Sequence, residues 1–422
     1  MAKTLAIIGG GPKAAAIVAR ASVLRDHKVG VPDILVFERR RVGSAWSGQD
    51  GYSSGHLTLC SPAERDVGYP YVEPTDFGAQ PAISQELFGR FSWSAFLVDT
   101  GRFAEWVDRG RDHPTHAVFA AYLQWVFVQA EAVVTSGEVL RVERVASGRW
   151  NIVCQNDAGR EFEGEVDGVV LTGAGEARPI ALDAAAQTSG RVLDAETFWS
   201  RRDEVAAAAE IAVAGAGGAA GAIIAWLAQA TAERQTALYA ISPLGTLFPR
   251  GDGHAERRWF SDPTNWRELT IADRRKILQR TEEGVISERN KRTIDAARNL
   301  EHVMGYAKRV RATGTDLTIG IEYDGKPRGS VGADFLINAI GFNPWSLLKC
   351  VTGSASLLTE DAAKDRASIE EEILPDLSLP LRAGLGAGLH VPVLSALSRG
   401  PAMGTLGALG LMAQSVLSPY IE

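Results

Sequence analysis

Leu5-Ala-Ile-Ile-Gly-Gly-Gly-Pro-Lys-Ala-Ala-Ala-Ile-Val-Ala19 is the stretch that decides the fold. A short apolar strand enters a glycine turn, and the turn opens an alanine-rich helical run. The spacing Gly9-x-Gly11-x-x-Ala14 gives each small residue a task. Gly9 turns tightly, Gly11 lets the backbone approach a pyrophosphate, and Ala14 lets helix pack on strand. The helix that starts at Pro12, which itself has no N–H, and Lys13 then offers the other unpaired N–H groups of its first turn and a partial positive charge to phosphates. The next apolar strand, Ile34-Leu-Val-Phe-Glu38, ends on a carboxylate able to accept hydrogen bonds from a ribose diol.

Half a chain later, Ile211-Ala-Val-Ala-Gly-Ala-Gly-Gly-Ala-Ala-Gly-Ala-Ile-Ile-Ala225 repeats the pattern, with Gly215, Gly217, Gly218 and Ala220 in the equivalent places. Its second strand, Thr236-Ala-Leu-Tyr-Ala-Ile-Ser242, ends without an acid. That absence favours NADPH, since a carboxylate there would repel a 2′-phosphate. Ser242 and Arg250 are the candidate residues at that end, and a solvated loop arginine is the other reading of Arg250. Asp167-Gly-Val-Val-Leu-Thr-Gly-Ala-Gly175 and Asp334-Phe-Leu-Ile-Asn-Ala-Ile-Gly-Phe-Asn-Pro344 both join an acid, an apolar strand and a glycine turn. They read as crossings between two nucleotide domains. The expected fold is α/β, with two Rossmann-like dinucleotide-binding domains, the second inserted in the first, and a small helical substrate region. Residues 1–175 form the first part, 176–335 the second domain with a helical segment near 255–305, and 336–422 the closing part.

The 422 residues, 45% hydrophobic and 23% charged, supply apolar material for two or three domain-sized cores. A net charge of −7 with interleaved signs argues against nucleic-acid or anionic-membrane binding. Cys60, Cys154 and Cys350 include no C-x-x-C pair, which disfavours dithiol reductase chemistry and fits a reducing compartment. Cys60 reads as a small buried hydrophobe. The N-terminus runs directly into a strand and lacks signal-peptide features. The most apolar stretch, 211–228, reads as a buried strand and turn rather than a membrane span. A cytoplasmic protein is expected. His113 and His116 have no acid or cysteine at metal spacing, so no metal site is expected. No G-x-S-x-G elbow is present. Trp93, Trp106 and Trp125 read as core.

Several further segments occur in a specific order. They are Lys13-Ala-Ala-Ala, Ala21-Ser-Val-Leu-Arg, Ser61-Pro-Ala-Glu-Arg-Asp-Val-Gly-Tyr-Pro, Phe103-Ala-Glu-Trp-Val-Asp-Arg-Gly-Arg, Pro114-Thr-His, Tyr122-Leu-x-Trp125, Ile241-Ser-Pro, Phe260-Ser-Asp-Pro-Thr-Asn-Trp and Gly400-Pro. In these, nearly the whole chain resembles the class B flavin N-hydroxylating monooxygenases, and within them the lysine N6-hydroxylases of mycobactin- and nocobactin-type siderophore pathways. The resemblance implies FAD at the first turn and NADPH at the second. It implies NADPH reduction of FAD, reaction with O₂ to a C4a-hydroperoxyflavin, and oxygen transfer to a neutral side-chain amine. It also implies that the flavin carries the hard chemistry, so no catalytic side chain is singled out. Homo-oligomers occur among relatives.

By the same resemblance, Trp46 stands near the isoalloxazine. Thr405 and Leu406 begin a closing helix, Thr405-Leu-Gly-Ala-Leu-Gly-Leu-Met, aimed at the flavin pyrimidine edge. Arg65 falls where relatives carry a lysine beside the substrate carboxylate, which a guanidinium can hold with two hydrogen bonds. A surface ion pair with Glu64 or Asp66 is its alternative. Three positions depart from the pattern. Arg257 replaces an asparagine, Glu282 an asparagine or aspartate, and Gly407 a serine. Arg257 is expected as a buried cation near the pocket, where it would repel an incoming ammonium; the alternative is that it holds a carboxylate as part of a re-formed site with Glu256.

The leading expectation is N-hydroxylation of an amino-acid amine, L-lysine N6 first. One alternative is a monooxygenase for sulfur, trimethylamine or ketone substrates. Those carry F-x-G-x-x-x-H, whereas here Thr188 and Asp194 occupy the end positions. The other is a flavoprotein that no longer hydroxylates, an uncoupled oxidase included.

Overall fold

In the computed structural model, residues 3–50, 52–72, 81–314, 316–358, 365–382 and 388–421 are described. The chain opens with strand β1 (Thr4–Ile8), helix α1 (Pro12–Asp26) and strand β2 (Asp33–Glu38). Helix α2 (His116–Gln129) leads to β3 (Val134–Ser136) and β4 (Gly168–Leu171). The chain then leaves this unit through β5 (Val192–Asp194), β6 (Glu210–Ala214), helix α3 (Gly218–Ala230) and β7 (Ala237–Ser242). Helix α4 (Ile271–Thr281) precedes β8 (Leu300–Met304) and β9 (Phe335–Asn338). Strand β10 (Leu389–His390) and helix α5 (Leu409–Leu417) close the chain.

Two five-stranded sheets result, ordered β10-β4-β1-β2-β3 and β5-β9-β6-β7-β8. Every pairing within them is parallel. Parallel sheets carry helices on their faces, and so their strands read as continuous apolar runs. β4 and β6 do so, with every residue buried except Glu210. Helix α1 is likewise buried from Ala14 to Leu24 and packs against α5 and α2. Residues 211–228 form β6 and most of α3. Among the described residues no helix is long and apolar enough to cross a membrane.

Antiparallel hairpins flank the sheets. The alternating segment after β3 forms a three-stranded sheet of Glu138–Arg144, Trp150–Gln155 and Glu161–Val166. A second antiparallel set, Tyr306–Thr313, Asp316–Tyr323 and Lys326–Ala333, precedes β9. Strand β9 pairs with β6 through Asn338. Part of the glycine-rich close, 383–387, lies outside the described residues.

Three smaller expectations change. Cys60 is exposed, because Leu59 points inward in the same extended segment and its neighbour faces out. Trp93 is core, whereas Trp106 and Trp125 are only partly buried. The closing helix starts at Leu409 rather than at Thr405. The Thr405 hydroxyl donates to the Pro401 carbonyl at 3.1 Å and accepts from Gly407 N at 3.1 Å. This local bonding holds the backbone out of a helix.

The tightest backbone approach in the second unit is at Gly215, whose φ is +143° and whose Cβ position is taken by the Ala339 carbonyl oxygen. Gly215→Ala therefore overpacks a strained turn and is expected to cost about 1–3 kcal/mol. A thermal melt reads this as a lowered midpoint; an unchanged midpoint would contradict the account.

Candidate active site

The two glycine turns superpose in their bonding. Gly9 N donates to the Phe37 carbonyl at 2.8 Å, and Gly215 N to the Ile241 carbonyl at 2.9 Å. Gly9 has φ +103° and abuts Thr172 at the end of β4. Gly215 abuts Ala339 just after β9. The helices begin alike, Ala15 N donating to Gly11 and Gly221 N to Gly217. Ala14 and Ala220 are fully buried between helix and sheet.

A Cβ at Gly11, Gly217 or Gly218 would meet nothing within 4 Å. Neither helix carries an acid in its first turn. Each turn therefore presents open space, free N–H groups and uncompensated positive potential, which fits a dinucleotide pyrophosphate. Lys13 adds a cation beside the first turn. Its Nζ donates to the Thr172 carbonyl at 3.3 Å, and burial pushes its pKa down to about 8.

Glu38 is buried at the end of β2. One oxygen accepts from Gly10 N at 2.6 Å and the other from Arg40 N at 2.9 Å, so it braces the turn from the second strand. A carboxylate so held keeps lone pairs for a ribose diol. Trp46 lies in the short helix Ser44–Ser47, which docks on the turn through Gly43 N donating to the Gly10 carbonyl at 3.0 Å. Its ring meets His116 edge-on at 4.8 Å and Phe119 at 5.5 Å. Burial lowers the His116 pKa to about 4, so this ring is neutral, and its Nδ1 has no hydrogen-bond partner.

At the second turn, Ser242 faces inward. Its hydroxyl donates to the Thr246 carbonyl at 3.1 Å and closes the loop after β7. Arg250 has Glu282 as a charge partner, with Nη1 3.6 Å from Oε1. Backbone bonds fix that pairing. Arg250 N donates to the Ile286 carbonyl at 2.8 Å, while Glu282 caps the end of α4.

Arg65 joins the same group. Its guanidinium lies over the Phe260 ring at 5.2 Å and the Tyr69 ring at 5.6 Å. Among the described residues no carboxylate comes within ion-pair distance of it. Asp66 is instead buried, accepting from the Tyr71 hydroxyl at 2.6 Å, Trp93 N at 2.7 Å and Gly68 N at 3.2 Å. Asp66 thereby anchors the loop that carries Arg65, a role absent from the sequence reading. Burial pulls the Arg65 pKa below its usual value; Tyr69 and Glu282 oppose that shift and Arg257 adds to it. Burial also pushes the Glu282 pKa up to about 7, against the pull of Arg250 and Arg65.

Two expected members stand apart. Arg257 is not a buried cation, since its side chain is 50% exposed and pairs with Asp252 at 2.8 Å. Glu256 does not share a site with it, because Glu256 accepts from Gly253 N at 2.8 Å and pairs with Arg280 at 3.1 Å. Gly407 makes no polar contact of its own beyond its backbone. A Cβ there would collide with the Phe260 ring. Asp194 ties its own turn, accepting from Glu196 N and Thr197 N.

Residues 88–311 match the model of the L-lysine 6-monooxygenase/L-ornithine 5-monooxygenase family. The chain is 35% identical over 428 residues to L-lysine N6-monooxygenase MbtG of Mycobacterium sp. (strain MCS), covering 99% of this chain and 95% of that one. MbtG of Mycobacterium tuberculosis (strain ATCC 25618 / H37Rv) is 35% identical over 436 residues, covering 100% and 96%. Lysine monooxygenase NbtG from Nocardia farcinica has the same fold, with a TM-score of 0.81 and 29% identity over 98% of each chain. Ornithine N-hydroxylase KtzI of Kutzneria sp. 744 shares the fold at a TM-score of 0.77 and 15% identity, over 100% of this chain and 99% of that one. These similarities, with the fold of two parallel sheets, define a class B flavin N-hydroxylating monooxygenase. The chain belongs to the L-lysine 6-monooxygenase/L-ornithine 5-monooxygenase family, on the branch of MbtG and NbtG.

Gly407→Ser forces the Phe260 ring aside and is expected to cost about 1–3 kcal/mol. Combined with Phe260→Ala, it should cost less than the sum of the two single changes, by at least about 0.5 kcal/mol. Additive melts across the four proteins would contradict the proposed steric coupling.

Proposed function

We propose that this chain hydroxylates L-lysine at N6, taking electrons from NADPH through FAD. The charged group formed by Arg65, Arg250 and Glu282 carries the reading, because it suits the head of an amino acid. Full-length identity to proteins named L-lysine N6-monooxygenase supports the substrate. KtzI, with its reduced FAD, NADP⁺ and L-ornithine, supports the cofactor pair.

FAD is assigned to the turn of Gly9, Gly11, Pro12, Lys13 and Ala14, with Glu38 at its ribose and Trp46 near its ring. NADPH is assigned to Gly215, Gly217, Gly218 and Ala220. A flavin held there would, once reduced by NADPH, activate O₂ so that one oxygen atom passes to the amine and the other leaves as water. The protein must bind, orient and dry the amine. A free lysine ammonium has a pKa of ~10.4, and only its neutral form is a nucleophile. Exclusion of water favours that neutral form. Arg65 anchors the far end of the substrate, so that the amine is presented in one register.

The test is NADPH consumption by FAD-loaded protein with L-lysine, L-ornithine or no amine, scoring hydroxylamine and peroxide together. Hydroxylamine that tracks lysine and suppresses peroxide is expected. Peroxide regardless of amine would contradict the reading and favour an uncoupled oxidase. Arg65→Met should raise the lysine KM by on the order of 10- to 100-fold, the loss of a charge-assisted pair. A KM within twofold of the parent, about 0.4 kcal/mol, would remove Arg65 from the site.

A further inference from the structure

A dinucleotide on a βαβ unit lays its adenosine ribose over the end of the second strand, and a cation near that end accommodates a 2′-phosphate. In the second unit this strand is β7, which ends at Ser242. Residues 243–249, which follow it, carry no charge. The loop does not run free. Gly245 N and Gly305 N both donate to the Ser242 carbonyl, at 3.1 and 2.9 Å. Parallel pairing sets Ser242 beside Met304, the last residue of β8, and a Cβ on Gly245 would meet the Met304 side chain. The end of β7 is therefore one corner with the end of β8 and with the antiparallel sheet that begins at Tyr306.

That sheet brings Arg328 and Lys308 to the corner. Arg328, in the strand Lys326–Ala333, donates from Nη1 to Met304 Sδ at 3.2 Å, and its guanidinium lies over the Tyr323 ring at 5.1 Å. Lys308, on the strand that Tyr306 begins, places Nζ over the Tyr306 ring at 5.6 Å. Among the described residues neither has a carboxylate within ion-pair distance, Glu322 opposite Tyr306 included. Arg250, by contrast, shares its charge with Glu282. A thioether is a weak acceptor, so the Arg328 fork keeps most of its donors unspent. A planar fork holds a phosphate with two hydrogen bonds, and stacking on Tyr323 fixes its plane.

Resting on the reading that NADPH occupies the second turn, we infer that Arg328 and Lys308 hold the 2′-phosphate of the nicotinamide cofactor, so that the appended antiparallel sheet selects NADPH over NADH. A strand end without an acid only permits the phosphate. The cations make it preferred. Both are exposed, so NADH leaves them in water at little cost. The preference is gained affinity for NADPH rather than rejection of NADH, and salt weakens it.

The experiment uses the FAD-loaded full chain. Calorimetry measures binding of NADP⁺, NAD⁺ and adenosine 2′,5′-bisphosphate, and stopped flow follows flavin reduction by NADPH and NADH. NADP⁺ should bind more tightly than NAD⁺ by on the order of 100-fold. Arg328→Met should weaken NADP⁺ and the bisphosphate by on the order of 10- to 100-fold, and leave NAD⁺ within about twofold. Lys308→Met should weaken the same two ligands by roughly 3- to 10-fold. Arg328→Lys, which keeps the charge without the fork, should retain part of the preference. The salt dependence of NADP⁺ binding should flatten in both methionine variants. Unchanged NAD⁺ binding, with melting curves, shows that each variant is folded. An undiminished NADP⁺ preference in Arg328→Met, or equal losses for both nucleotides, would overturn the inference; hydroxylamine made from lysine and NADPH would then leave the lysine N6 reading standing. Phosphate-selective binding that is lost in the variants, without hydroxylamine from lysine in the parent, would uphold the site and overturn the hydroxylation reading.

Discussion

A phosphate can sit on a helix N-terminus only where the backbone lets it come close. Everything else in this protein is arranged around meeting that constraint twice. At both turns the first glycine bends the chain against the end of a neighbouring strand, and the second faces open space. Side chains at either position would close the approach or strain the turn. The two sheets then set where the turns point, and the segments 172–175 and 339–344 carry the chain from one unit to the other. The charged residues proposed to meet the substrate come from loops attached to this frame.

Those loops are held by bonds that do no chemistry. Asp66 gathers three donors and keeps the Arg65 loop against helix Trp93–Asp99, while Gly410 N donates to the Tyr69 carbonyl at 2.9 Å. Gly407 contributes by having no side chain, since Phe260 fills its place and lies under the Arg65 guanidinium. The departures at 257, 282 and 407 are therefore unlike one another. One is turned to solvent, one has become a buried charge, and one is the steric complement of an aromatic ring.

The nucleotide turns were legible because their signal is local: strand, glycine turn and helix lie within about 15 residues, and each small residue has a separate steric reason. Arg65 and Glu282 were named through family resemblance, but their convergence with Arg250 was not visible. Arg250 follows the second strand and so reads as a phosphate partner, while its ion-pair partner Glu282 lies at the end of helix α4, outside any local pattern. Glu256 and Arg257 looked like a pair because they are adjacent. On the helix His254–Arg258 they point to different partners, Arg280 and Asp252. The late start of α5 was hidden in Thr405, whose hydroxyl bonding competes with the helix that its neighbours favour.

In the proposed function one chain holds two dinucleotides, one at each glycine turn. The most direct measurement of this is calorimetric titration of the FAD-loaded protein with NADP⁺, repeated on Gly217→Val. The account predicts one NADP⁺ per chain with FAD retained, and loss of NADP⁺ binding but not of FAD in the variant. Displacement of FAD by NADP⁺, or NADP⁺ binding untouched by Gly217→Val, would contradict it.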